Sequence, residues 1–208
     1  VCLIMGNQAL ASTLGGAFAN FTSGARPQAM GSAFIAVGDD VNCLNWNPAG
    51  LASRSKAQLS LYNTDLFKLG INRTYISVVI PLLFKGAFSL GVSQTHFQKV
   101  LPYEEKVITA AYAKSFGKNS LGLSCKALMA AADFAETDII TKETGFTIAL
   151  GFLRNSGKFN YGVVINNLVS KLNWKTTSNG EPEKTVSEAF NLSLDCGLSW
   201  QYDSATLF

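Results

Sequence analysis

The chain has 208 residues, of which 48 % are hydrophobic and only 15 % charged, with a net charge of +3. That length supports one domain with a core, and so little charge is unusual for a soluble domain. No run of Lys and Arg gives the basic footprint of a nucleic-acid binder, and the single His96 has no metal-ligand partner at useful spacing. The longest apolar run, Val78 to Phe84, contains Pro81 and falls far short of the roughly 20 residues of a transmembrane helix. Cysteines at positions 2, 43, 125 and 196 form no Cys-x-x-Cys pair, which removes the usual zinc and redox motifs. They read as small apolar side chains, buried or facing lipid, or as one disulfide in an oxidising compartment.

In chain order, Val1 to Met5 is apolar and Ala9-Leu10-Ala11 fits a small-residue cleavage site, so residues 1–11 are predicted to be the remainder of a secretory signal; a frayed apolar terminus is the alternative. Residues 12–55 are predicted to form a kinked, partly helical plug. Ala29 to Val37 fits a short helix, with Gly31 and Gly38 as close-packing or terminating points. Asp39 and Asp40 fit capping positions, and Asn45 and Asn47-Pro48 fit an Asx-type bend and a turn.

Residues 56–208 alternate with period two. Leu121, Leu123, Cys125, Ala127 and Met129 oppose Gly122, Ser124 and Lys126; Phe190, Leu192, Leu194, Cys196, Leu198, Trp200 and Tyr202 oppose Asn191, Ser193, Asp195, Gly197 and Ser199. About eight such segments are predicted, near 56–63, 73–83, 86–94, 106–116, 120–131, 145–153, 159–169 and 187–202. Most have about ten residues, the length at which a tilted strand crosses a bilayer. Tight turns near Lys85-Gly86, Gly117-Asn119 and Asn155-Gly157 alternate with longer polar links at 64–72, 95–105, 132–144 and 170–186. Short turns on one side and long loops on the other are the habit of outer-membrane barrels.

The fold predicted is therefore all-β, an antiparallel transmembrane β-barrel. Its apolar face would meet lipid, and a Ser, Asn, Thr and Gly face would line the lumen. Gly91, Gly122, Gly151, Gly162 and Gly197 would leave room there for plug or ligand, and Lys126 and Asp195 would pair or touch the plug. Trp174, Trp200, Tyr112, Tyr161 and Tyr202 fall where interfacial girdles belong. A secreted, soluble lipocalin-like barrel would show the same alternation with its apolar face inside. No enzyme motif stands: residues 117–122 have P-loop glycine spacing, but Leu123-Ser124 follows where Lys-Ser/Thr is required. No catalytic residue, metal or cofactor is expected.

The stretch "GARPQAMGSAFIAVGDDVNCLNWNPAGLA" carries Gly24-Ala25-Arg26, Met30-Gly31, Asp39-Asp40 and Trp46-Asn47-Pro48-Ala49-Gly50-Leu51. It resembles the N-terminal signature of outer-membrane barrels related to the long-chain fatty-acid transporter FadL, and especially the branch that holds the secretion-associated protein PorV. The resemblance implies an N-terminal hatch inside a barrel of about fourteen strands, of which this chain would hold an incomplete portion. It implies a place in the bacterial outer membrane, contact with its lipid, and passage of hydrophobic small molecules such as long-chain fatty acids. The alternative it allows is a scaffold or shuttle for secreted proteins. Asn45, Trp46, Asn47, Pro48, Ala49, Gly50 and Leu51 are the expected ligand or plug residues, and Met30, Gly31, Asp39 and Asp40 the expected plug-packing residues.

Overall fold

The computed structural model describes residues 3–4, 24–66, 68–82, 86–97, 103–134, 139–178 and 184–201. Ten strands among them form one antiparallel sheet: β1 (Leu3–Ile4), β2 (Gln58–Leu66), β3 (Ile71–Leu82), β4 (Gly86–Phe97), β5 (Tyr103–Phe116), β6 (Asn119–Phe134), β7 (Ile139–Ser156), β8 (Phe159–Ser178), β9 (Lys184–Glu188) and β10 (Ser193–Trp200). Apart from Leu3 and Ile4, which pair with Leu198 and Gly197, the predicted signal remnant 1–11 lies outside the described residues, as does Tyr202. Neighbours in sequence are neighbours in the sheet from β2 to β8. The far half of β8 pairs with β9 and the near half with β10, so the described ladder is an open path from β1 to β2.

Each of the eight predicted strand regions contains a strand, but the predicted long links are largely strand as well. The described residues between β2 and β3 are a short turn at 68–70, and β6, β7 and β8 extend to 16, 18 and 20 residues. The reason is that ladder hydrogen bonds belong to the backbone. A hairpin continues past the apolar zone with polar side chains on both faces, where period-two hydrophobicity has nothing to mark. The last predicted strand is the converse case. Its pattern is the most regular, yet residues 189–192 leave the ladder, and Phe190 turns to pack on Leu128 and Ala130. Ser170 Oγ ties this break down, donating to the Phe190 carbonyl at 3.3 Å and accepting its N–H at 2.9 Å.

The two faces of the sheet differ in kind. One is exposed and apolar: Leu59, Leu61, Ile76, Leu90, Leu121, Leu123, Leu194 and Trp200 lie on it, with Leu61 72 % exposed. The other is buried and built from small or polar residues, among them Ser77, Ser89, Thr109, Ala111, Ala113, Ser124, Thr147 and Ala149. Val164, which interrupts the apolar alternation of β8, belongs to this buried face. A water-soluble barrel needs the opposite arrangement. The side chains that alternate outward here are the ones that a soluble fold would bury.

Candidate functional site

Residues 24–54 lie against the buried face and fill it. Helix α1 (Ala25–Ala29) opens the segment, helix α2 (Cys43–Trp46) follows a run of turns, and a 3-10 helix (Pro48–Ser53) lies across the sheet. The short helix thus falls at 25–29 and not at 29–37. Gly31 and Ser32 take left-handed φ of 63° and 67°, and the second is a conformation that helices do not continue through. Asn45 sits in α2 instead of an extended bend, because the chain bends two residues later, at Asn47.

Asn47 is fully buried and holds three contacts at once. Its Nδ2 donates to the carbonyls of Ile35, at 2.8 Å, and of Phe152 on β7, at 3.0 Å, while its Oδ1 accepts the Ala49 N–H at 3.1 Å. The third bond is an N-cap that starts the 3-10 helix, with Pro48 at the first position where no N–H is needed. Ala49 and Leu51 are fully buried. Gly50 crosses Gly38, where a Cβ would stand 2.7 Å from the Gly38 Cα and 2.7 Å from Cys43 Sγ. Trp46 packs edge-on against Phe34, ring centroids 6.2 Å apart, inside the cluster formed by Ile35, Val41, Leu44 and Leu51.

Arg26 fastens the outer part of the segment. Its guanidinium bonds both Asp39 and Asp40, the latter at 2.8 Å, and lies 5.4 Å from the Phe34 ring centroid. The bond to Asp39 holds Arg26 charged well above its ordinary range. Asp40 also accepts the Asn42 N–H at 2.7 Å, closing an Asx turn ahead of α2. Arg54 reaches back to the carbonyl of Asp39. Met30 and Gly31, expected to pack the plug, instead lie on an exposed turn; a Cβ on Gly31 would meet nothing within 4 Å.

The sheet receives this segment through glycines. A Cβ on Gly122 of β6 would lie 2.3 Å from the Ala49 nitrogen, and one on its ladder partner Gly151 of β7 would lie 2.3 Å from Asn47 Oδ1. On the paired Gly162 of β8 and Gly197 of β10 the contacts are the Ile35 carbonyl oxygen at 2.3 Å and Ile35 Cβ at 3.1 Å. On Gly91 of β4 the contact is Leu44 at 2.7 Å. The five glycines, all on the buried face, are thus places where backbone or side chain of residues 35–49 touches the sheet, so the room they leave is taken by this segment. Ser199 of β10 adds a hydrogen bond to the Ala36 carbonyl at 3.0 Å.

Beyond the segment the same face turns polar. Arg73 Nε donates to Thr95 Oγ1 at 2.9 Å and Arg73 faces Glu105 at 3.7 Å. Asp195 accepts from Asn166 at 2.7 Å. Glu143 is 1 % exposed, and neither carboxylate oxygen has a hydrogen-bond partner. Among the described residues no group of His, Cys, Asp and Glu is placed to hold a metal ion, and no helix is long and apolar enough to cross a membrane, a test that says nothing of strands. The chain matches no family model, no curated protein and no solved structure.

Proposed function

We propose that the chain belongs to an outer-membrane β-barrel in which residues 24–54 form the plug, and that the barrel passes hydrophobic small molecules such as long-chain fatty acids when the plug shifts. One observation carries the reading: the exposed face is apolar while the buried face is small, polar and occupied by residues 24–54. In hydrocarbon every backbone donor and acceptor must be paired, so such a sheet spans a bilayer only when closed. Closure would pair the outer edges of β1 and β2, which have no ladder partner among the described residues. The resemblance of Gly24–Leu51 to the FadL-related signature supplies the ligand class.

The experiment is expression of the chain behind a secretion signal, followed by carbonate extraction of outer membranes and electrophoresis with and without heating. A carbonate-resistant species whose migration shifts on heating is expected. A chain released by carbonate would overturn the membrane reading. Labelled fatty acid retained outside proteoliposomes that contain a heat-modifiable chain would overturn the transport reading alone.

A second reading, a scaffold for secreted proteins at the outer membrane, draws on the length of the ladder. About ten residues suffice to cross a bilayer, so the 20 residues of β8 would carry its hairpin with β9 well beyond it. Loss of a bound surface protein on shortening that hairpin, with the barrel still heat-modifiable, would decide for it.

A further inference from the structure

The sheet gathers cations that the linear sequence keeps apart. At the end that carries the turns after β5 and β7, Lys114 stands between Tyr112 and Phe116 on the apolar outer face, and Arg154 follows Phe152 on β7. Lys118 and Lys158 occupy the two turns. Lys114 Nζ lies 5.6 Å from the Phe116 ring centroid. Arg154 is the ladder partner of both Asn119 and Tyr161, and next to it Phe159 stacks on Trp200 with centroids 6.4 Å apart and planes 16° from parallel. None of the four cations makes an ion pair among the described residues.

Among the described residues the carboxylates lie far from this rim or are already bonded. On the outer face, Glu104 lies near the start of β5, roughly 34 Å along the strand from Lys114 at about 3.4 Å per residue. Asp65 lies at the same far end, on β2. Asp195 accepts from Asn166, and Asp39 and Asp40 are both bound by Arg26. Arg154 also donates to Asn119 Oδ1 at 3.5 Å, so among the described residues the rim is a band of cations without carboxylate partners, interleaved with exposed aromatic rings and bordering an apolar wall.

We propose that this band is a docking surface for the phosphate groups of anionic phospholipids in the leaflet next to the short turns; it rests on the membrane reading above. Aromatic rings prefer the boundary between hydrocarbon and headgroups, and long basic stems lie along apolar surface while their heads reach outward. The four cations then sit at phosphate depth. No carboxylate among the described residues pairs with them, and a negatively charged leaflet attracts each one.

The test uses the full chain refolded into vesicles of phosphatidylcholine alone or with added phosphatidylglycerol, with the fraction that floats with vesicles as the readout. One variant carries Lys114→Gln, Lys118→Gln, Arg154→Gln and Lys158→Gln. A control with the same loss of charge carries Lys68→Gln, Lys106→Gln, Lys142→Gln and Lys175→Gln. Phosphatidylglycerol is expected to raise partition of the natural chain by about fivefold per docked cation, with molar salt removing the gain. The rim variant loses the gain and the control keeps it. Equal gains for rim variant and control overturn the proposal. So does a natural chain that enters both vesicles equally, a result needing no substitution. A chain that enters neither vesicle overturns the membrane reading as well.

Discussion

Replacing Gly122 by alanine adds one methyl group where the structure has least room for it. The new Cβ would stand 2.3 Å from the Ala49 nitrogen and 2.3 Å from the Pro48 carbonyl carbon, with the Pro48 carbonyl oxygen at 2.6 Å. All three are backbone atoms, so no rotamer change relieves the contact. The 3-10 helix must move off β6 by roughly 1 Å to reach ordinary contact. That lift stretches the 3.0 Å bond from Asn47 to the Phe152 carbonyl on the adjacent strand. Overpacking of this kind costs about 1–3 kcal/mol, and a buried bond forced open adds about 1–3 kcal/mol more. The strand ladder, held by its own backbone bonds, has no reason to fail with it. The expected result in detergent is a chain that still shifts its migration on heating but whose residues 24–54 are cut by protease at least tenfold faster. Gly117→Ala is the control. It also alters a glycine, one with φ of 65°, but its Cβ would meet nothing within 4 Å, so it strains the turn without touching residues 24–54. Unchanged protection in Gly122→Ala, or equal acceleration in both variants, would refute the packing of residues 48–49 on β6.

Asn47→Ala removes one accepted and two donated hydrogen bonds in a fully buried setting and should destabilise the packing of residues 24–54 on the sheet by about 2–4 kcal/mol, read from the denaturant midpoint for release of that segment. Arg26→Gln should cost less, about 1 kcal/mol or under, because the Arg26 and Asp39 side chains are 45 % and 44 % exposed, and its effect should shrink in high salt, as the same midpoint would show. Cys43 is fully buried, and burial pushes its thiol from an ordinary 9.0 up to about 12. The folded chain therefore holds a proton there that the unfolded chain gives up, so this stabilisation is complete below pH 9 and is lost as pH rises toward 12, measurable as a falling midpoint in Cys43 and not in Cys43→Ala. Cys125 and Cys196 lie exposed on the apolar face. In a lipid-inserted chain they should react with a membrane-permeant maleimide and resist a charged thiol reagent, whereas equal reaction with both would place that face in water.

How far the sequence was readable depends on what each residue answers to. Leu121, Leu123 and Cys125 alternate with Gly122 and Ser124 because a pleated strand sends them to opposite faces, so strand identity and the two-faced character follow from period two alone. Which face is buried does not follow, since alternation is symmetric under that exchange. Only the packing of residues 24–54 against Gly122 and Gly151 breaks the symmetry. The bend at Asn47-Pro48 was legible from local chemistry, but the helix at Ala25–Ala29 was not. Its five residues are held by Pro27 packing and by the bonds of Arg26 to Asp39 and Asp40, thirteen and fourteen positions away. The motif residues Arg26, Asp39 and Asp40 thereby acquire a physical reason to occur together. One guanidinium satisfies two adjacent carboxylates and fixes both ends of a run of turns that has no ladder of its own. The glycines have the matching reason. Gly122 with Gly151, and Gly162 with Gly197, are pairs across the ladder, so each pair opens a gap two strands wide where the segment crosses. Both members of a pair face the same stretch of the segment, Pro48 and Ala49 from Gly122 and Gly151, and Ile35 and Ala36 from Gly162 and Gly197, so a substitution in either member should displace that stretch whatever stands opposite.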